Sequence, residues 1–226
     1  MTWLFPLWLG ISVPILAIFY ILGIFFKNGA LVKNKSLARY YVLPKCAGSY
    51  ICVSGAALAL ACQKENPLVH LVFWALVLCM AGDFFIEMNI IAGGLSFGLA
   101  HCLLMAYVLS LSAISLASLV LWIAGIGAAL LLFAKNIPSM GRLLAPFLVY
   151  ITVLIGDFAL AAPLAAAKKP CYILLAAGLL CFVASDMLLG KRHFGARQPW
   201  ISRLLMFLYY AALYLIQASL WLPLGA

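Results

Sequence analysis

Negative charge is almost missing from this sequence. Only five of the 226 residues are Asp or Glu, and charged residues of both signs amount to 8%, against roughly 25% in soluble domains. Mean hydropathy is +1.20. Such a chain cannot clothe a water-facing surface, so a soluble globular domain is excluded. The period-two alternation of a membrane β-barrel is also missing. So are the CxxC, HExxH and Cys/His spacings that hold zinc. The seven cysteines (46, 52, 62, 79, 102, 171 and 181) lie in or at the ends of apolar stretches and read as small buried hydrophobes. The histidines, at 70, 101 and 193, fall on three different stretches, and no residue pattern asks for a metal. No basic segment precedes the first apolar run, which is too long for the core of a cleaved leader; it reads as a span.

Long apolar runs are what the sequence has instead. Polar breaks divide it into eight, at about 3–26, 42–62, 67–87, 94–111, 114–134, 144–164, 171–190 and 203–222. Each is close to the ~20 residues that cross a bilayer as a helix. The expected fold is an all-α integral membrane protein with eight transmembrane helices in one polytopic domain. The weakest break is Ser110 to Ser115, which has no charge, proline or glycine.

The net charge of +9 invites a nucleic-acid reading, but its placement argues for membrane topology. Lys27, Lys33, Lys35, Arg39 and Lys45 flank the first connection, Lys135 and Arg142 the fifth, and Lys191, Arg192, Arg197 and Arg203 the seventh. Only Lys64, Lys168 and Lys169 belong to even-numbered connections. The positive-inside rule then puts the odd connections in the cytoplasm, where anionic headgroups of the bilayer are the partners these loops meet. No nucleic acid is expected.

Two apolar runs resemble each other. NPLVHLVFWALVLCMAGDFFI (66–86) and KPCYILLAAGLLCFVASDMLL (169–189) align without gaps at Pro67/Pro170, Leu71/Leu174, Leu76/Leu179, Ala81/Ala184 and Asp83/Asp186. In both, a proline near the helix start is followed 16 residues later by an aspartate, about 24 Å along the helix. Two readings stand: coincidence in low-complexity apolar sequence, or a 4 + 4 arrangement with half-repeats at about 1–111 and 114–226. In the second, the two halves have the same orientation and Asp83 and Asp186 lie at one depth. The small residues before them, Gly82 and Ser185, would let helices approach closely and bring the carboxylates into one pocket.

Ionisable groups inside the hydrocarbon cost about 2.5–3.5 kcal/mol on insertion scales and mark functional positions. Asp83, Asp157 and Asp186 qualify. Their structural alternative is a carboxylate satisfied by neighbouring hydroxyls or backbone, holding helices together. Glu87 shares a helical face with Asp83 and, nearer the helix end, is expected to be solvated. His101, Tyr150, Tyr214 and Gln217 are further polar residues within spans that could line a cavity.

Taken in order, GDFFIEMNIIAGGLSFGLAH, PFLVYI, FVASDMLLGKRHFG and LYLIQASL resemble the YhhN-type lysoplasmalogenase family from about residue 44 onward. The most specific part is GD followed by a later SDxLL. The resemblance implies eight membrane helices and hydrolysis of the vinyl ether of lysoplasmalogens, without metal or organic cofactor. The products would be a fatty aldehyde and a glycerophosphoethanolamine or glycerophosphocholine. It implies Asp83 and Asp186 as catalytic residues, and His101, Tyr150 and Gln217 as less specific polar positions. Pro44 precedes Lys45 where the family has Lys then Pro, Ala100 stands before His101, and one tyrosine of a YYxxQ pattern is Leu213 here.

On this reading Asp83 and Asp186 share a pocket, one protonated as general acid and one ionised. Lys45 and Arg203 are candidates for holding the phosphate, with His101, Tyr150, Tyr214 and Gln217 around the lysophospholipid. The expected location is a bacterial cytoplasmic membrane. A proton-coupled transporter and a lipid-sensing protein without turnover are the rival readings. The charge pattern puts both termini outside, so a topology reporter fused after Ala226 should report an external position. A cytoplasmic signal would reject the orientation.

Overall fold

In a backbone that crosses hydrocarbon, every N–H and C=O must find a partner within the segment, which leaves helices as the solution for isolated apolar runs. The computed structural model describes residues 3–28, 41–195 and 198–223, without the side chains of Lys27, Asn28 and Pro199. Of the basic residues assigned to odd connections, Lys33, Lys35, Arg39, Arg197 and the side chain of Lys27 lie outside the described residues, as does Ala226.

The elements are α1 (Leu4–Asn28), α2 (Val42–Cys62), α3 (Pro67–Met88), α4 (Ile90–Leu111), α5 (Leu116–Phe133), the single turn α6 (Ile137–Met140), α7 (Leu144–Ala161), α8 (Pro170–Phe194) and α9 (Pro199–Ser219). Short 3₁₀ segments, Gly141–Leu143 and Ala162–Ala167, precede and extend α7. Eight of these segments are long and apolar enough to cross a membrane, with α6, α7 and the 3₁₀ turns forming one of them. This is an integral membrane protein.

Helix ends follow local chemistry. Pro67 and Pro170 both stand in the first turn of their helices, where the missing N–H costs nothing. Three boundaries differ from the hydropathy reading. α4 begins at Ile90 because Asn89 alone joins it to α3, its side-chain oxygen accepting from Ile91 N at 2.8 Å. α8 runs on to Phe194 and so carries Lys191, Arg192 and His193 in its last turn. α9 starts at Pro199. The weak break at Ser110–Ser115 is real, since Ser115 caps α5 by accepting from Ser118 N at 3.1 Å.

Six helices form a closed circuit of neighbours: α2 to α3, α3 to α4, α4 to α7, α7 to α8, α8 to α9, and α9 back to α2. Helix α1 packs outside on α2 and α9, and α5 on α7. Their outward residues, such as Ile18 and Ile21 on α1 and Ile123 and Leu131 on α5, are exposed apolar side chains suited to lipid. Lipid tails are as apolar as leucine, so close packing and internal polar contacts must hold such helices together. The α8–α9 contact shows this at Gly178, where an added Cβ would come within 2.8 Å of Ile216 Cγ1 and 3.0 Å of its backbone nitrogen.

Gly178→Leu should therefore destabilise the fold by about 1–3 kcal/mol or more, the usual cost of overpacking. The measurement is thermal unfolding in detergent. Gly127→Ala, on α5 with nothing within 4 Å of the added carbon, should leave the midpoint unchanged.

Candidate active site

Helical spacing assembles the first polar group. Lys45 and Ser49 lie one turn apart on α2, as do Asp83 and Glu87 on α3, so each pair presents two polar atoms on one face. Lys45 Nζ is 3.2 Å from Asp83 Oδ1 and 3.7 Å from Glu87 Oε1. From α9, the Tyr209 hydroxyl donates to Asp83 Oδ2 at 2.7 Å, and the Ser49 hydroxyl donates to the same oxygen. Tyr210 donates to the Lys45 carbonyl at 3.1 Å, and its ring rests on Gly48, where a Cβ would fall 2.6 Å from it. Asp83 is fully buried. A charge there is tolerated because a cation and two hydroxyls satisfy it.

A second group lies across the bundle. His101 on α4 and Asp157 on α7, both fully buried, meet at 2.6 Å between Nδ1 and Oδ2. His101 Nε2 has no hydrogen-bond partner. The His101 ring packs edge-on against Phe182 at 4.5 Å and Tyr150 at 5.9 Å between centroids. The Tyr150 hydroxyl donates to Asp186 Oδ2 on α8.

Aromatic rings stand between these groups. Phe97, Phe182 and Tyr209 pack edge-to-face, with centroid separations of 6.2, 6.0 and 5.5 Å. Tyr209 thus touches Asp83 with its hydroxyl and the partition with its ring. Asp186 lies within electrostatic range of His101, Lys45 and Asp83, but among the described residues the two aspartates have different hydrogen-bond partners, Ser49 and Tyr209 for Asp83 and Tyr150 for Asp186, and of the two only Asp186 lines the cavity. The expectation of one carboxylate pocket is corrected in that respect. The small residues before them serve other contacts: Gly82 packs under the Phe97 ring of α4, and the Ser185 hydroxyl donates to the Leu205 carbonyl of α9 at 3.3 Å. They draw α3 to α4 and α8 to α9, rather than α3 to α8.

Asp83 and Asp157 are fully buried, whereas Asp186 borders open space. A cavity of about 500 Å³ lies among the end of α3, α4, α7 and the C-terminal half of α8. Asp186, the Tyr150 hydroxyl, His193 and the Cys102 thiol supply its ionisable or hydroxyl-bearing side chains; Phe97, Phe147, Ile151, Met187 and similar residues supply most of the rest. Ile91, Leu95, Leu99 and Val149 line it and are also exposed on the outside of the molecule, so the cavity opens sideways to lipid.

The other expected site residues divide. Tyr150 joins Asp186, and His101 joins Asp157. Lys45 is held by Asp83 and Glu87, which occupies the cation offered as a phosphate partner. The expectation that Glu87 is solvated holds in part: its side chain is 34% exposed, yet it faces Lys45. Arg203 is exposed and does not line the cavity. Tyr214 and Gln217 are elsewhere: Tyr214 meets Ser12 of α1 at 2.7 Å, and Gln217 is buried against Gly55 beside the Trp8 indole. Sequence reading missed Ser49, Tyr209 and Tyr210. The available signals were a serine one turn after Lys45, and adjacent hydroxyls inside an apolar span.

Among the described residues, no group of three or more His, Cys, Asp or Glu is placed to hold a metal ion. Searches of curated proteins and of solved structures return no match. The sequence matches the YhhN family over residues 40–220, a stretch that takes in α2 through α9 and both polar groups. This chain is a member of the YhhN family.

Proposed function

We propose that this protein is a lysoplasmalogenase, a membrane hydrolase that cleaves the vinyl ether of a lysoplasmalogen to a fatty aldehyde and a glycerophosphoethanolamine or glycerophosphocholine. The observation that carries the reading is Asp186, hydrogen-bonded by Tyr150, in the wall of an otherwise apolar cavity open to lipid. Membership of the YhhN family supports the same activity.

A vinyl ether is hydrolysed by putting a proton on carbon. In the proposed sequence, the protonated Asp186 carboxyl gives its proton to the second carbon of the alkenyl chain, and an ether oxygen lone pair makes the first carbon an oxocarbenium ion. Water adds to that carbon and returns a proton to the Asp186 carboxylate. The resulting hemiacetal transfers its hydroxyl proton to the glycerol oxygen as the C–O bond breaks, releasing aldehyde and alcohol. One carboxyl acts as acid and then as base. The Tyr150 hydroxyl orients it.

Asp83 has a different part in this reading. In this reading it is ionised and paired with Lys45, with Glu87 facing the same cation, so that the formal charges of the three sum to one negative charge. In a medium of low dielectric constant, a fixed charge of that sign favours a cation forming at Asp186. Two aspartates in unlike surroundings thus take unlike roles.

Asp186→Asn should reduce aldehyde release from a lysoplasmalogen in detergent by roughly 10²–10⁴-fold, the usual worth of a general acid, and Asp83→Asn should also reduce it. Near wild-type turnover in both folded variants would overturn the mechanism. Stability separates the two aspartates further. Lys45→Met strands the buried Asp83 charge and should cost about 3–5 kcal/mol, whereas Lys45→Met with Asp83→Leu should recover most of that in thermal unfolding while remaining poorly active.

A further inference from the structure

We propose that the basic end of α8, centred on His193, seats the phosphate of a single-chain phospholipid whose hydrocarbon lies in the cavity. The choice of a lysolipid rests on the functional reading above; the anion site rests on geometry. From α8 the cavity is lined by Asp186, Met187, Leu189, Gly190, His193 and Phe194, which at helical spacing form one broad face. His193 lies seven residues beyond Asp186, two turns and about 10 Å along the axis. Lys191 and Arg192 share its turn at the helix C-terminus.

Across the mouth, exposed Arg142 immediately precedes Leu143, which lines the cavity. The connection before it is tied to the end of α8 by Asn136 Nδ2, which donates to the Phe194 carbonyl at 2.8 Å. The acidic residue at this end of the bundle, Glu87, already faces Lys45 at 3.7 Å. Positive charge therefore collects where the apolar slot meets the membrane surface.

The order of groups along the slot matches a lysophospholipid. The His193 side chain leans toward the N-terminal end of α8 and so toward Asp186, which shortens the interval that the glycerol must span and sets the bond between glycerol and chain near Asp186. The slot as a whole runs along α4 from Ile90, at the His193 end, to Cys102, about 18 Å at helical rise; Asp186 lies toward its deeper part, since its partner Tyr150 stands beside Gly98, so the far part of a chain held there leaves through the sideways opening. A volume of about 500 Å³ holds one chain. The exposed Leu95 and Val149 edge lets it enter from the bilayer.

Binding of a lipid that cannot be hydrolysed tests this without catalysis. The ligands are a 1-O-alkyl lysophosphatidylethanolamine and the matching 1-O-alkylglycerol, titrated against the full-length protein in detergent. Wild type should bind the phospholipid roughly tenfold more tightly, the worth of charge-assisted contacts, with the preference shrinking at high salt. His193→Ala with Arg142→Ala should abolish the preference and leave alkylglycerol affinity unchanged.

Retention of the full preference in the double variant would overturn the proposal, as would equal binding of the two ligands by wild type. Displacement of the lipid by inorganic phosphate alone would assign the site to a free anion and overturn the lipid assignment. Failure of the hydrolase reading has a separate signature, namely phosphate-dependent binding in a protein that releases no aldehyde from the vinyl ether lipid.

Discussion

A lysine and an aspartate facing each other inside a hydrocarbon solvent set the terms for much of this structure. Neither charge is tolerable alone at that depth, so the Lys45–Asp83 ion pair fixes α2 against α3, and the hydroxyls of Ser49 and Tyr209 complete it with a contribution from α9. Three of the six ring helices are thereby registered by one buried network. Apolar packing would let those helices slide with little penalty, because lipid offers the same contacts that neighbouring helices do. The polar network does not allow sliding, since moving by one turn leaves a charge without a partner.

The aromatic partition follows from the same constraint. Tyr209 must present its hydroxyl to Asp83, which turns its ring toward Phe97 and Phe182. Phe182 in turn covers His101. The result is a bundle with two polar interiors of different character: one closed and ionic, the other bordering a slot that reaches lipid. In the proposed reaction, chemistry on an alkenyl chain would take place at the second, with the first supplying a fixed charge.

Much of this was legible in the sequence. Eight spans and the helix-start prolines follow from hydropathy, and the scarcity of acid singles out Asp83 and Asp186 as buried polar positions. What hydropathy could not resolve was which helix faces which. Periodicity gives the phase of a residue on its own helix, so Lys45 with Ser49 and Asp83 with Glu87 could be paired by face. It carries no information on which partner that face meets. Tyr214 and Gln217 illustrate the limit: polar residues on α9, they turn toward α1 and α2, away from the cavity, while Tyr209 on the same helix reaches Asp83. The ends of α4 and α8 were misjudged because polar and basic residues interrupt hydropathy without interrupting helical hydrogen bonding.

The sideways opening of the cavity bears on what happens after the reaction proposed for it. Cleavage of the ether would split an amphiphile into two molecules with opposite solvent preferences. The aldehyde could diffuse from the slot past Leu95 and Val149 directly into the bilayer core, and the glycerophospho fragment, stripped of its tail, would escape to water. Separation by phase keeps the products from meeting again at the site. It would draw the reaction forward without any moving gate.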